Sequence, residues 1–367
     1  YTAFSQGLPD PLPPLSIQYA DYAAWQRGPE RTQQLERGLV YWRERLDGAP
    51  VLHELPTDRP RPAEQRFHAR QHVQLLDAVK LHGLRNWARD NDATLFMALQ
   101  SAFAALLSRW SGQNDIVIGT PVAGRSQAAL EPLIGFFNNT LVCRFDVSAA
   151  DHAAALLAQG RSVALDAFAY QDVPFDLLVE TLRPQRSLAY NPVCQIKFVL
   201  QNHDSGELRM PGLVLQAMAP IGGPVRFDLD LPAVQSVQGL QLSWTYKAGL
   251  FDAPRIERMA LAYARLLAQM VARPTTRLDE LVWVDEDEAA SLRSLGQGPH
   301  SATRRDAVLP IQIAEQASRT PDAMAVRFGE TTLTYAALDR ASNRLAQVLA
   351  EQGMGPGSRV GVHLERS

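Results

Sequence analysis

The first pair of side chains whose spacing suggests chemistry is His68 and His72, four positions apart. On a helix that interval places two imidazoles on one face, half of a zinc site. Here the pair sits in HARQHVQLL, which leads into a strand pattern. On a strand such residues share a face but stand about 13 Å apart, too far to chelate one ion. They are expected to be solvent-facing polar residues. The glycines of GMGPG (353–357) invite a phosphate-loop reading, but they follow a helix and precede a strand. That is the reverse of the order a phosphate loop needs, and a helix cap with a turn explains them. The sequence holds no G-x-S-x-G, no G-x-x-x-x-G-K-[ST], no H-E-x-x-H and no C-x-x-C, and none of its eight histidines are adjacent.

Three segments hold more promise. IGFFNNTLVCR (134–144) combines Gly135, which permits close approach, with Asn139 and Thr140, short donors suited to a carbonyl or amide. The plainer reading is a turn feeding a strand. In YQDVPFDLL (170–178), Pro174 keeps Val173 extended and Asp176 opens a helix. A rigid helix start anchored by Phe175 is favoured there over a direct ligand role. RSLAYNPVCQ (186–195) alone says only loop, then strand.

The elements that must position these segments follow from periodicity. Helices are predicted over about 16–27, 31–46, 79–90, 149–168 and 254–272. The strongest begins after Thr94, an N-cap, with Leu95, Leu99, Phe103, Leu106, Leu107 and Trp110 on one stripe, and ends at Gly112. Strands are predicted at 71–76, 115–121, 193–201, 213–218, 227–231 and 240–246. An acidic, Gly-containing stretch, 285–308, is expected to be a linker with DEDE (285–288) at a solvated helix start. A new unit follows: helix 309–319, strands 323–328 and 331–334, helix 335–352 and strand 359–364. Both blocks are mixed α/β.

Bulk properties exclude several classes. The 367 residues are 46% hydrophobic and 20% charged, which suits a globular chain of about two domains. A net charge of −3, with no basic cluster interleaved with aromatics, gives no reason to expect nucleic acid. No apolar run approaches the ~18 residues of a membrane span. Cys143 and Cys194, each in an apolar stretch, suit a reducing, cytoplasmic setting. The N-terminus lacks signal-peptide features, and both ends are expected to be cuts within a longer protein.

In order and spacing these segments resemble the condensation domains of nonribosomal peptide synthetases. IQYADYAAWQR (17–27) resembles the family's Tyr-Ala-Asp-Tyr-Ala-x-Trp segment. IGFFNNTLVCR is similar to Ile-Gly-x-Phe-Val-Asn-Thr, with Asn138 in place of Val. YQDVPFDLL resembles His-Gln-Asp-x-Pro-Phe-Glu, with Tyr170 for His and Asp176 for Glu. RSLAYNPVCQ keeps Arg186, Asn191, Pro192 and Gln195 of a fourth motif but carries Ser187, Ala189 and Tyr190 where the family has Asp, Ser and Arg. FDLDL (227–231) and GLFDAPRIERM (249–259) resemble later family segments, and 309–367, with LTYAALD (333–339), resembles the opening of an adenylation domain.

The resemblance implies a chloramphenicol-acetyltransferase-like two-layer α/β lobe followed by an incomplete adenylate-forming unit. It divides the chain into the end of the first lobe and crossover (1–50), the second lobe (51–284), a linker (285–308) and the adenylation start (309–367). It implies a parent enzyme that forms an amide bond between two carrier-bound thioesters, with peptidyl and aminoacyl carrier domains and adjacent modules as partners. The parent would use phosphopantetheine on its carriers, and ATP with magnesium for adenylation. The family's catalytic His-His-x-x-x-Asp-Gly does not occur in this sequence, so no catalytic residue is assigned and the chain alone is expected to be inactive. Trp25, Asn139, Thr140, Gln171 and Asp172 are implied as tunnel residues. No metal ligand and no cofactor bound by this chain itself is expected. Two other readings are a non-catalytic carrier-docking module and a coenzyme A-dependent acyltransferase relative; the adenylation-like tail disfavours the latter.

Overall fold

Buried Leu99, Phe103, Leu106 and Leu107, together with Ala98, Ala102, Ala104 and Ala105, make one central helix predominantly apolar and buried all round. A helix of that kind must lie inside the fold, and the other elements are arranged round it. The computed structural model describes residues 1–184, 187–201, 210, 212–213, 223–298 and 308–364. Its elements are α1 (Thr2–Ser5), α2 (Tyr19–Gln26), α3 (Pro29–Leu46), β1 (Ala69–Asp77), α4 (Ala78–Asp90), α5 (Leu95–Ser111), β2 (Asp115–Val122), β3 (Asn139–Asp146), α6 (Ala153–Ala169) and α7 (Phe175–Leu182). These are followed by β4 (Ile196–Gln201), β5 (Leu229–Ser236), β6 (Gly239–Lys247), α8 (Ala253–Ala272), α9 (Glu286–Gly296), α10 (Leu309–Arg319), β7 (Met324–Phe328), β8 (Thr331–Thr334) and α11 (Tyr335–Glu351). Two compact units result, Tyr1–Ala289 and Ala290–Ser367.

In the first unit six strands form one sheet in the order β1-β6-β5-β4-β2-β3. The three in the middle, β5, β4 and β2, run parallel, and antiparallel partners flank them. Along β5 the period of two is clear: Leu229, Leu231 and Ala233 are buried, while Asp230, Pro232 and Val234 are half-buried on the other face. Helices α5 and α8 lie against the buried face, where the Phe103, Trp244 and Tyr263 rings meet edge to face. Tyr263 Oη donates to the Leu99 carbonyl at 2.8 Å, which satisfies the hydroxyl inside the core.

The termini of α5 are as expected. Thr94 Oγ1 accepts from the Met97 N–H, and Gly112 closes the helix at φ +74°, a conformation a β-carbon disfavours. Elsewhere the boundaries move for local reasons. The 149–168 helix starts at Ala153 because His152 Nδ1 accepts the Ala155 N–H and caps it. The 193–201 strand begins only at Ile196, since Val193 adopts φ +67° after Pro192 and cannot join a ladder. The 227–231 strand is the longer β5, paired with β6 on one side and β4 on the other. The start of the expected 285–308 linker is helical, as α9, with its acidic residues in the first turn. Of the strand expected at 213–218, only Leu213 is described, in a bridge to Met210; the rest lies outside the described residues, as does Arg186.

The N-terminal segment enters the same core. Trp42 and Leu46 of α3 are buried and belong to the same apolar cluster as α5, the sheet and α8. In the second unit α10 and α11 accompany the β7–β8 hairpin, and Thr334 caps α11 by accepting the Ala337 N–H at 3.2 Å. The strand expected at 359–364 does not form: the segment is exposed and no described strand runs beside it to supply a ladder. Among the described residues, no helix is long and apolar enough to cross a membrane.

Candidate functional site

An open parallel sheet leaves a crevice outside the carboxyl ends of its strands, because the following loops diverge there. In this chain β2, β4 and β5 end side by side, and a cleft of ≈ 1090 Å³ lies at those ends. One wall is aromatic: Phe96, in the first turn of α5, meets Phe168, near the end of α6, edge to face at 6.1 Å. Val199 and Leu200 of β4 line the cleft as well, and the rim carries the carboxamides of Asn138 and Gln171.

Asn139 holds this rim together. Its Nδ2 donates to the carbonyls of Gln171 (2.8 Å) and Val173 (2.7 Å), and its Oδ1 accepts the Phe175 N–H at 2.9 Å. One side chain thus satisfies three backbone groups of the turn before α7, groups that would otherwise be unpaired next to the core. The expected rigid helix start is therefore present, extended into α7, with its rigidity supplied from the first residue of β3. Tyr170 stacks on Tyr41 with ring centroids 4.1 Å apart, and its carbonyl accepts from Trp42 Nε1 at 3.2 Å. Burial, followed by the Asp166 carboxylate, pushes the Tyr41 hydroxyl up to about 12. The ring is therefore a neutral stacking surface near neutral pH.

Asp172 points away from the cleft. Its carboxylate pairs at 2.9 Å with Arg31 Nη1, a guanidinium only 6% exposed, and that guanidinium lies 4.7 Å from the Trp25 ring centroid. Trp25, Arg31 and Asp172 form one stacked and charged chain that ties α2 and α3 to the turn before α7. Thr140 stands opposite Pro121 in the β2–β3 ladder. Gly135 is approached by the Tyr19 ring, which would lie 2.2 Å from a β-carbon there. Of the five residues singled out by sequence, Gln171 lines the cleft directly, Asn139 braces it, and Trp25 with Asp172 buttress the brace. The pattern of residues does not reveal Phe96, Phe168 or Asn138 as cleft residues. Asn138 stands out in the sequence only for occupying a position where valine is usual.

A second polar centre lies beneath RSLAYNPVCQ. Asp228 (1% exposed) accepts from Lys247 Nζ at 2.9 Å, Arg61 Nη2 at 2.7 Å and His53 Nε2 at 3.2 Å. Burial is the largest single influence and would raise the Asp228 carboxyl. Hydrogen bonds from His53 and Arg61, with the charges of Arg61 and Lys247, outweigh it and hold the group well below the usual aspartate range. Gln195 completes the network, donating to the carbonyls of Val51 and Asn191 and accepting the His53 N–H. This centre clamps the 50–67 loop to β5 and β6. Among the described residues no group of three His, Cys, Asp or Glu side chains is placed to hold a metal; His68 lies in a bridge to Pro224, and His72 pairs with Trp244 in the β1–β6 ladder.

The condensation-domain family matches residues 1–293, four-fifths of the chain. The chain belongs to the condensation-domain family. The AMP-binding enzyme family matches residues 313–367, so the condensation domain is followed by the start of an adenylation domain. A linear gramicidin synthase polypeptide from Brevibacillus parabrevis is 40% identical over the whole chain, which spans 5% of that protein. Phosphinothricin tripeptide synthetase PhsC from Streptomyces viridochromogenes is 38% identical over 96% of the chain, which spans 33% of it. The X-domain of teicoplanin biosynthesis, solved in complex with OxyB, superposes with a TM-score of 0.70 at 28% identity, covering 78% of this chain and 65% of that one. The condensation domain here thus has the chloramphenicol-acetyltransferase-like α/β lobe that the sequence implied.

Proposed function

We propose that the chain supplies the second lobe of a condensation domain in a nonribosomal peptide synthetase elongation module, and that its cleft is one wall of the substrate tunnel. The observation carrying this reading is the cleft at the ends of β2, β4 and β5, rimmed by Asn138 and Gln171 from two motifs separate in sequence. The reaction is attack by the α-amine of a carrier-bound aminoacyl thioester on the acyl carbon of a second carrier-bound thioester. The C–N bond forms, the C–S bond breaks, and the departing thiolate is matched by the proton the nitrogen loses. Phosphopantetheine on the carrier domains supplies the two thioester arms. This lobe contributes alignment, the larger part of such a two-substrate reaction: the Asn139 brace holds Gln171, and the aromatic wall shapes the bound chain. No residue here is assigned the proton transfer. ATP with magnesium serves amino-acid activation in the adenylation domain of the parent; no residue of this chain is assigned to either, and no step is routed through them.

The test joins this chain behind the first lobe of a relative that carries His-His-x-x-x-Asp-Gly and supplies peptidyl and aminoacyl carrier proteins. Lengthened peptidyl thioester is expected from the joined protein and none from the chain alone. Carrier binding without any product would favour a docking module, and product from the chain alone would place the chemistry within it.

A further inference from the structure

The cleft has a chemical character that separates one class of substrate from another. Its walls are the Phe96–Phe168 pair and the aliphatic Val199 and Leu200. Its polar groups are carboxamides and hydroxyls, and the side chains of Asn138 and Gln171 have no hydrogen-bond partner among the described residues. A carboxamide offers both a donor and an acceptor, the match for the backbone of an extended amide chain. The charged residues lining it among those described are two arginines, Arg85 and Arg125, with no carboxylate. Arg85 is bonded to Gln235, while Arg125 reaches the Leu130 and Glu131 carbonyls and lies 4.3 Å from the Phe137 ring centroid, so both are held in place. A cationic side chain entering here would lose water against apolar walls and meet two guanidinium charges with no counter-ion.

From this we infer that the cleft selects an amide chain whose side chain is apolar, seated on Phe96 and Phe168, over one whose side chain is cationic. The inference rests on the tunnel reading above and names the substrate class of that tunnel. Both the peptidyl substrate and the pantetheine arm that carries it have amide groups; the aromatic pair assigns the seat to a substrate side chain, since the arm offers only a compact gem-dimethyl group.

The test titrates the full chain, by ligand-observed NMR, with three probes: N-acetyl-Phe-Ala methylamide, N-acetyl-Lys-Ala methylamide and pantetheine. The Phe probe should bind about tenfold or more tighter than the Lys probe. Phe168 is 36% exposed, so Phe168→Glu leaves the core intact; it should weaken the Phe probe and strengthen the Lys probe. Phe96→Leu should weaken the Phe probe alone, and melting curves verify that both variants fold. Equal binding of Phe and Lys probes, both weakened by Gln171→Leu, would overturn the selectivity and leave the tunnel reading standing. Displacement of the Phe probe by pantetheine would assign the seat to the arm and overturn the side-chain assignment alone. No binding by any probe, or binding untouched by Gln171→Leu and Phe168→Glu, would overturn both readings.

Discussion

Lys247 Nζ lies 2.9 Å from Asp228 Oδ1, with the two side chains 4% and 1% exposed. Such a pair persists inside a protein only when the rest of its hydrogen-bonding capacity is met, and here Gln65, Arg61 and His53 meet it. The network is a clamp on the 50–67 loop in which one carboxylate faces both the Arg61 and the Lys247 side chains.

Asp228→Asn is therefore expected to cost about 3–5 kcal/mol, because it leaves Arg61 and Lys247 buried without an anion. Lys247→Met, which keeps Arg61 and His53 on the carboxylate, should cost less. Urea midpoints of the two variants compare these directly. The pH dependence has a definite direction as well. Since the folded carboxyl lies below its unfolded value, its contribution is complete above the ordinary aspartate range and is lost as pH falls through that range toward the folded value. Stability of Asp228→Asn should accordingly vary less between pH 5 and 2 than that of the parent chain.

Asn139 carries three hydrogen bonds to the turn before α7. Asn139→Leu, of similar size, should cost about 1–3 kcal/mol by orphaning the Gln171 and Val173 carbonyls and the Phe175 N–H. Hydrogen exchange supplies the local readout: the Phe175 amide should exchange much faster in the variant, while amides in the centre of α5 keep their order of protection.

Helix α3 approaches the same turn through a residue without a side chain. A β-carbon on Gly38 would stand 2.5 Å from Val173 Cγ2. Gly38→Ala is expected to destabilise by about 1–3 kcal/mol through overpacking. Adding Val173→Ala should recover part of that loss, so the double variant is more stable than the sum of the singles predicts. Additive losses in denaturant titrations would show that the two do not touch.

Burial pushes the thiols of Cys143 and Cys194 up to about 12. The thiolate is the reactive form, so the folded chain at pH 8 should show almost no labelling by a chromogenic disulfide reagent. Two thiols per chain should react once denaturant is added. Rapid labelling of either in the folded chain would contradict its placement.

The parts of this structure legible in the sequence are those set by neighbours in the chain. Thr94 and Gly112 mark the ends of α5 because capping is local chemistry, and DIVIGTP is a strand because its apolar run is buried in mid-sheet. The stiffness of 170–175 is legible from Pro174, but its cause is not: Asn139 is far away in sequence and meets the turn only through packing. Phe96 and Phe168 are invisible as a pair for the same reason; each has the look of an ordinary helix residue until α5 and α6 cross. Asp228 sits in FDLDL as one polar residue of an alternating strand, while the charges that define it come from a loop before β1 and from the end of β6. Val193 shows the opposite failure, a β-branched residue with strand propensity held at positive φ in a tight turn that the Cys194 N–H closes on the Pro192 carbonyl at 2.8 Å.

Among the described strands, β1 meets the rest of the sheet through β6 alone, in a register that sets Ala69 against Lys247. Ribosomes deliver these partners in sequence order, so β1 leaves the exit tunnel long before its neighbour has been translated. Until then its backbone donors and acceptors are open to other chains. A nascent polypeptide stalled before β6 leaves β1 without the strand that completes its ladder.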